Sequence, residues 1–106
     1  MAFRIEITAL AEADLNEYAD WIAQDSPARA GQWYARILDE IESLQEMPLR
    51  YPLAYEAEAL NEPIRHLILG QHRVLYVVAE SSSVVYVLRV WPAARGVADA
   101  HDVFSG

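Results

Sequence analysis

The residues with the clearest capacity for chemistry are four arginines within or beside three short predicted strands in the last third of the chain. They are Arg65, Arg73, Arg89 and Arg95. An arginine within a strand is costly to bury unless its charge has a partner, and a guanidinium pairs most strongly with a carboxylate or phosphate that it meets bidentately. We therefore expect these arginines to bind an acidic partner molecule. Internal pairing is the alternative, and its candidates are Glu6, Glu12 and Glu80.

Trp91 closes the last predicted strand, close to Arg95, and is a candidate for an exposed anchor that inserts into a partner. The alternation of side chains along a strand places Arg89 on the same face as Val87 and Trp91. An apolar patch with charge at its rim is typical of a protein-binding surface. The predicted partner-binding residues are therefore Arg65, Arg73, Arg89, Trp91 and Arg95.

The periodicity of the sequence predicts six elements that position these residues, in the order strand, helix, helix, strand, strand, strand. Residues 3–8 alternate between apolar and polar types, and apolar residues then recur at helical spacing through two segments. Thr8 is placed to cap the first helix, and Ser26 with Pro27 to start the second. Two helices in a hairpin cover only one face of a four-stranded sheet, so we expect the arginine-bearing face to be open. The last three strands cover residues 64–69, 72–79 and 84–91.

The length of 106 residues predicts a single domain, residues 1–106, with an irregular connector at 48–63 and a tail at 96–106 that we expect to dock loosely or fray. The chain has no cysteine and no lysine, its net charge is −8, and thirteen of its sixteen acids precede Pro63. Phosphate affinity rests on a surplus of positive charge, so the composition argues against direct DNA binding. No cofactor or metal motif is present. Without a signal sequence or a membrane-spanning apolar run, we expect a cytoplasmic protein that makes no membrane contact.

Several residues, spread across most of the chain, form a pattern. Each residue is a weak signal alone, but their order and spacing together are more specific. They are Ala11, Asp14, Leu15, Ala19 and Ile22, then Ser26, Pro27 and Ala30, then Leu44, Pro48, Tyr51 and Pro52, then Arg65, Arg73 and Tyr76, and finally 87–91 with Arg95. In this pattern the chain resembles the RelE/ParE superfamily of bacterial toxins from type II toxin–antitoxin systems. It is more similar to the ParE (plasmid-stabilisation) branch.

This resemblance implies an α+β fold with the order βααβββ, in which an N-terminal helical hairpin packs on one face of an antiparallel sheet. It also implies a cognate antitoxin whose C-terminal segment wraps around the toxin and neutralises it. ParE-like members of the family inhibit DNA gyrase by binding to it, whereas RelE-like members cut mRNA on the ribosome. Whether the chain forms a homodimer or a toxin–antitoxin hetero-oligomer is open.

The two branches differ in the chemistry that they require. RNA cleavage needs groups that activate the ribose hydroxyl, stabilise the phosphorane and protonate the leaving oxygen, and RelE-like relatives supply these from lysines, arginines and a C-terminal Tyr or His. This chain has no lysine, its tail offers His101, and Pro92 stands where relatives often carry a histidine. The resemblance therefore favours a non-enzymatic gyrase inhibitor. The alternatives are a RelE-like ribosome-dependent mRNA endoribonuclease using Arg65, Arg73 and Arg89, and a toxin fold that survives as a non-toxic binding module.

Overall fold

The computed structural model is an α+β protein built on a four-stranded sheet, and it describes residues 2–104. The predicted order βααβββ is confirmed, and two further short helices lie in the connector and the tail. None of the helices among these residues is long and apolar enough to cross a membrane. The strands and helices are β1 (Arg4–Ile7), α1 (Ala9–Ala23), α2 (Pro27–Glu42), α3 (Glu56–Leu60), β2 (Arg65–Leu69), β3 (His72–Ala79), β4 (Val84–Pro92) and α4 (Ala100–Phe104).

Both long helices begin at the capping residues that the sequence predicts. The Thr8 hydroxyl accepts a hydrogen bond from the Ala11 N–H at 3.3 Å and donates one to the Val87 carbonyl at 2.9 Å. The Ser26 hydroxyl accepts a hydrogen bond from the Arg29 N–H at 3.2 Å. Each cap satisfies a backbone donor that the first turn of a helix leaves free. Thr8 in addition fastens the start of α1 to β4, so one residue sets both the helix boundary and its position on the sheet.

The sheet is mixed, with the strand order β1-β4-β3-β2. The three C-terminal strands form the predicted antiparallel set, whereas β1 pairs with β4 in parallel, with Arg4 opposite Val84 and Ile7 opposite Val87. Parallel neighbours need a long connection, and here the helical hairpin carries the chain from β1 to β2 at the far edge. The β2–β3 and β3–β4 hairpins then bring the chain back across the sheet, so that β4 lies beside β1. The parallel pair at β1 is the one departure from an entirely antiparallel sheet.

A hydrophobic core lies on each face of the sheet. On the helix face, α1 and α2 pack on the strands, and the buried residues are Ala11, Leu15, Ile37, Ile41, Leu44, Leu67, Val74, Tyr76, Val85, Val87 and Val90. The connector and the tail cover part of the second face, where the buried residues are Ala54, Ile64, Leu75, Trp91, Ala98 and Val103. The prediction of an open second face is therefore wrong. The prediction of a loose tail is also wrong for the described part, because Ala98 and Val103 are 2% and 3% exposed.

A β-bulge in β4 changes which side chains share a face. Leu75 of β3 pairs with Arg89, and the next residue of β3, Tyr76, pairs with Val87, so Leu88 is an additional residue without a partner. An extra residue reverses the alternation of side chains along a strand. Val87 therefore faces the helices, whereas Arg89 and Trp91 lie on the second face. The prediction that Val87 shares a face with Arg89 is wrong for this reason.

Candidate partner-binding site

Arg73 lies on the second face and is held by a carboxylate of the connector. Its two terminal nitrogens donate to the two carboxylate oxygens of Glu56 at 2.9 and 2.7 Å, and neither side chain is more than 5% exposed. Arg73 also donates to the Gly96 carbonyl, and the Ala98 N–H donates to Glu56. This bidentate pair joins α3, β3 and the tail. The Arg73 charge is therefore compensated inside the protein.

The surroundings of Glu56 keep its carboxyl group ionised. Burial by itself raises the pKa of the group, but the hydrogen bonds from Arg73 and from the Ala98 N–H outweigh burial, so the pKa of Glu56 lies below its usual value. His66 lies beside the pair, with its Nδ1 3.3 Å from a terminal nitrogen of Arg73. Burial and the neighbouring guanidinium lower the pKa of His66. The second face therefore holds a charged pair next to a neutral imidazole.

Arg89 is held in the same way by a carboxylate of the first helix. Its Nε and one terminal nitrogen donate to the carboxylate of Asp14 at 2.8 and 2.7 Å, and the other terminal nitrogen donates to the Asp102 carbonyl at 2.6 Å. The side chains of the pair are 13% and 11% exposed. The hydrogen bond to Asp14 is the main cause that raises the pKa of Arg89. Asp14 also accepts the Val90 N–H at 2.9 Å, so it ties α1 to β4 at two points.

Trp91 and Arg95 differ in their exposure. Trp91 is 2% exposed, and its indole N–H donates to the Gly96 carbonyl at 2.8 Å. The prediction of Trp91 as an exposed anchor is wrong, because the tail packs over the ring. Arg95 is exposed, and its guanidinium carbon lies 4.1 Å from the centre of the Trp91 ring. This stacking leaves the polar edge of the Arg95 guanidinium free to meet another group.

Arg65 lies partly exposed at the start of β2, where it is bound to backbone oxygens of the connector. One terminal nitrogen donates to the Tyr51 carbonyl at 2.6 Å. The acids that neutralise the predicted arginines are thus Glu56 and Asp14, whereas the predicted candidate Glu6 pairs with Arg4 at 3.0 Å. The prediction that the arginines bind a partner stays a prediction, but Arg73 and Arg89 already have buried internal partners.

Two arginines of α2, Arg29 and Arg36, are exposed like Arg95, although the sequence analysis did not single them out. In the described chain, the side chains of Arg29, Arg36 and Arg95 take part in no salt bridge and no hydrogen bond. Arg29 and Arg36 are seven residues apart and therefore lie on one face of α2, with Gln32 and Trp33 between them. The spacing 29, 32, 33 and 36 is a signal that the sequence contained. Charged residues at such spacing are also typical of a solvated helix face, so the sequence alone did not distinguish this group.

These three arginines line two adjoining clefts that share the side chains of Tyr18 and Trp21. The first, which we call the cationic cleft, lies between α1, α2 and the β2–β3 turn; it has a volume of about 530 Å³ and contains Arg29 and Arg36 but no carboxylate. The second, the acidic cleft, lies between α1 and the end of β4, has a volume of about 490 Å³, and is lined by Glu17, Asp20 and Arg95. Trp21, which borders both clefts, is 64% exposed.

The inner wall of the cationic cleft is an aromatic cluster around His72. The centre of the His72 ring lies 4.0 Å from the centre of the Tyr18 ring, which it meets edge to face, and 5.4 Å from the centre of the Trp33 ring. His72 is 7% exposed, and its Nε2 has no hydrogen-bond partner among the described residues. Burial lowers the pKa of His72, and the nearby Asp14 only partly opposes this effect. The cleft therefore combines rigid aromatic walls, a neutral imidazole and two outer guanidinium groups.

The same architecture occurs in two solved structures of bacterial toxin–antitoxin systems. The chromosomal ParDE toxin–antitoxin system from P. aeruginosa matches with a TM-score of 0.68 and 18% identity, over 86% of this chain and 96% of that chain. The toxin–antitoxin complex RelBE2 from Mycobacterium tuberculosis matches with a TM-score of 0.62 and 23% identity, over 87% of this chain and 99% of that chain. No curated protein sequence matches this chain.

The sequence itself identifies the protein family more specifically than the fold does. Residues 5–96 match the family model of the ParE toxin of the type II toxin–antitoxin system parDE. The chain belongs to this family, and it is a toxin of the ParE/RelE superfamily of type II toxin–antitoxin systems. The resemblance that the sequence pattern indicated is thus confirmed.

Proposed function

We propose that this protein is a ParE-type toxin that inhibits DNA gyrase by binding to it, and that a cognate antitoxin neutralises it. The observation that carries the choice of gyrase over RNA is the internal pairing of Arg73 and Arg89. An arginine that stabilises a developing phosphorane must direct its N–H groups at the substrate. In this chain those groups are directed at Glu56 and Asp14. The proposal places the protein in the cytoplasm, where gyrase acts.

The charge of the whole chain supports the same choice. The net charge of −8 opposes docking on ribosomal RNA, and the chain has no lysine to offset it. Inhibition of an enzyme through a protein interface requires only a complementary surface. A protein target therefore fits this composition better than a polyanionic RNA does.

Two assays on the purified protein test the proposal. Gyrase supercoiling of relaxed plasmid DNA should be lost when the protein is in excess, and mRNA on programmed ribosomes should remain intact. Normal supercoiling together with cut mRNA would overturn the proposal in favour of an endoribonuclease. If neither activity is found and expression does not arrest growth, the protein is a non-toxic binding module instead.

For the antitoxin, we propose that Arg65 and Arg95 make direct contacts, because parts of their side chains are accessible. Arg73, Arg89 and Trp91 would then act indirectly, by holding the connector and the tail in place. Replacement of Arg95 by alanine should weaken the complex with the antitoxin by about 1 kcal/mol or more, as expected for a charge-assisted contact. The matched control is the variant Arg4→Ala, which changes an arginine on β1. This variant should bind the antitoxin as tightly as the unmodified protein does.

A further inference from the structure

The surface around Trp21 carries opposite charges on its two sides. Of the residues that the structure describes, those lining the cationic cleft include Arg29 and Arg36 and no carboxylate, although the chain has twice as many acids as arginines. The acidic cleft on the other side of the Trp21 ring presents two carboxylates, those of Glu17 and Asp20, against the single guanidinium of Arg95. A surface with a protruding aromatic ring and charge of both signs complements itself when a copy is turned through a two-fold rotation.

We propose that this surface binds a second copy of the chain. In such a symmetric dimer the Trp21 rings lie at the centre, and the cationic cleft of each copy meets the acidic cleft of the other. The contact supplies carboxylates to Arg29 and Arg36, which form no salt bridge with any of residues 2–104. It also covers a tryptophan that is 64% exposed, and large aromatic rings are the side chains that most often dominate interface energies.

Three features favour a copy of this chain over an acidic partner of another kind. The two clefts adjoin and share Tyr18 and Trp21, so one contact fills both, as a two-fold axis near Trp21 requires. A partner that is only acidic would place its charges against Glu17 and Asp20, which outnumber Arg95 in the acidic cleft, and this repulsion disfavours it. The walls are also preformed, since Tyr18, Trp33 and His72 pack against each other in the single chain. Little ordering is then needed on association.

Charge reversal on each side tests the pairing directly. The variant R29E/R36E has two acidic clefts and E17R/D20R has two cationic clefts, so neither should self-associate. An equimolar mixture should form a heterodimer, because every acidic cleft again meets a cationic one. Sedimentation velocity over a concentration series should show at least about a tenfold rise in Kd for each variant alone and recovery in the mixture. Trp21→Ala should weaken the dimer by about tenfold or more as well.

The control is Arg4→Glu, which changes charge in the same direction on β1, at the end of the sheet opposite His72. It should leave the dimer intact, and circular dichroism should show that all variants are folded. A chain that sediments as a monomer up to millimolar concentration would overturn the proposal. So would a mixture that stays monomeric, or a loss of antitoxin binding in R29E/R36E without any change in self-association, which would assign the surface to the antitoxin.

Discussion

At the scale of single residues, two carboxylates determine how much of the arginine chemistry is available to other molecules. Glu56 holds an arginine 17 positions away in sequence, and Asp14 holds one 75 positions away. A buried ion pair adds little net stability compared with an apolar pair, but removing one partner leaves an uncompensated charge and is strongly destabilising. The two pairs therefore fix which elements meet. Because both guanidinium groups are engaged within the protein, they are not available to bind another molecule.

Replacing Glu56 by glutamine should destabilise the protein by about 3 kcal/mol, because it leaves the Arg73 guanidinium buried without an opposite charge. Urea unfolding monitored by circular dichroism measures this loss. Glu58→Gln, an identical change at an exposed position of the same helix, should have an effect within about 0.5 kcal/mol of zero. The double variant E56Q/R73M should be more stable than E56Q alone. Equal stability of E56Q and E58Q would contradict the role assigned to the buried pair.

At the scale of elements, the sequence predicted those parts of the fold that local rules specify. Thr8 and Ser26 with Pro27 mark helix starts, and the three C-terminal strands were predicted to within one residue at each end. The bulge at Leu88 was not predictable in this way, since no glycine or other local signal marks it. Its position follows from how β3 and β4 pair, and one extra residue was enough to put Arg89 on the face opposite Val87.

The covering of the second face also follows from long-range contacts. Apolar residues of the tail are few, and their number gave no reason to expect a packed segment. The structure places Val103 of α4 in the cluster with Leu75 and Trp91, and Glu56 and Arg89 bind the tail backbone by hydrogen bonds. A count of hydrophobic residues along the tail cannot reveal such contacts. The face and its arginines were identified from the sequence, but their accessibility was not.

A matched pair of valines in the tail tests its packing. Val103→Ala should destabilise the protein by about 2 kcal/mol, because it removes two methyl groups from a site that is 3% exposed. Val97→Ala, the same change at a site that is 58% exposed, should lower stability by less than about 0.5 kcal/mol. Chemical denaturation of both variants gives the comparison. Similar values for the two would mean that α4 contributes nothing to the second core.

At the scale of the whole molecule, the sheet lies between two cores that each contain a buried histidine. His72 lies on the helix face against Tyr18, and His66 lies on the second face against Tyr55. Burial lowers the pKa of both, and both are therefore neutral in the folded protein. In the unfolded chain each takes up a proton near its ordinary pKa of 6.5. Acidification thus favours the unfolded state.

Stability should consequently be full above about pH 7 and should decline as the pH falls below about 6.5, by up to about 1 kcal/mol for each histidine at about pH 5.5. The lowered pKa of Glu56 acts in the same direction but further towards acid. Its contribution to stability begins to fall only below about pH 4.5, where the unfolded chain takes up a proton that the folded protein still excludes. The two effects are therefore separable. Thermal unfolding between about pH 7.5 and about pH 5.5 reports the histidines.

His72→Phe isolates one of these contributions, because phenylalanine keeps a flat ring between Tyr18 and Trp33 but cannot be protonated. The fall in melting temperature over this pH range should be smaller in the variant than in the unmodified protein. His101→Phe, at an exposed position of α4, serves as the control and should show the same fall as the unmodified protein. A melting temperature that does not change with pH in the unmodified protein, or an equal fall in the His72 variant, would show that a buried neutral His72 does not set the acid sensitivity of the fold.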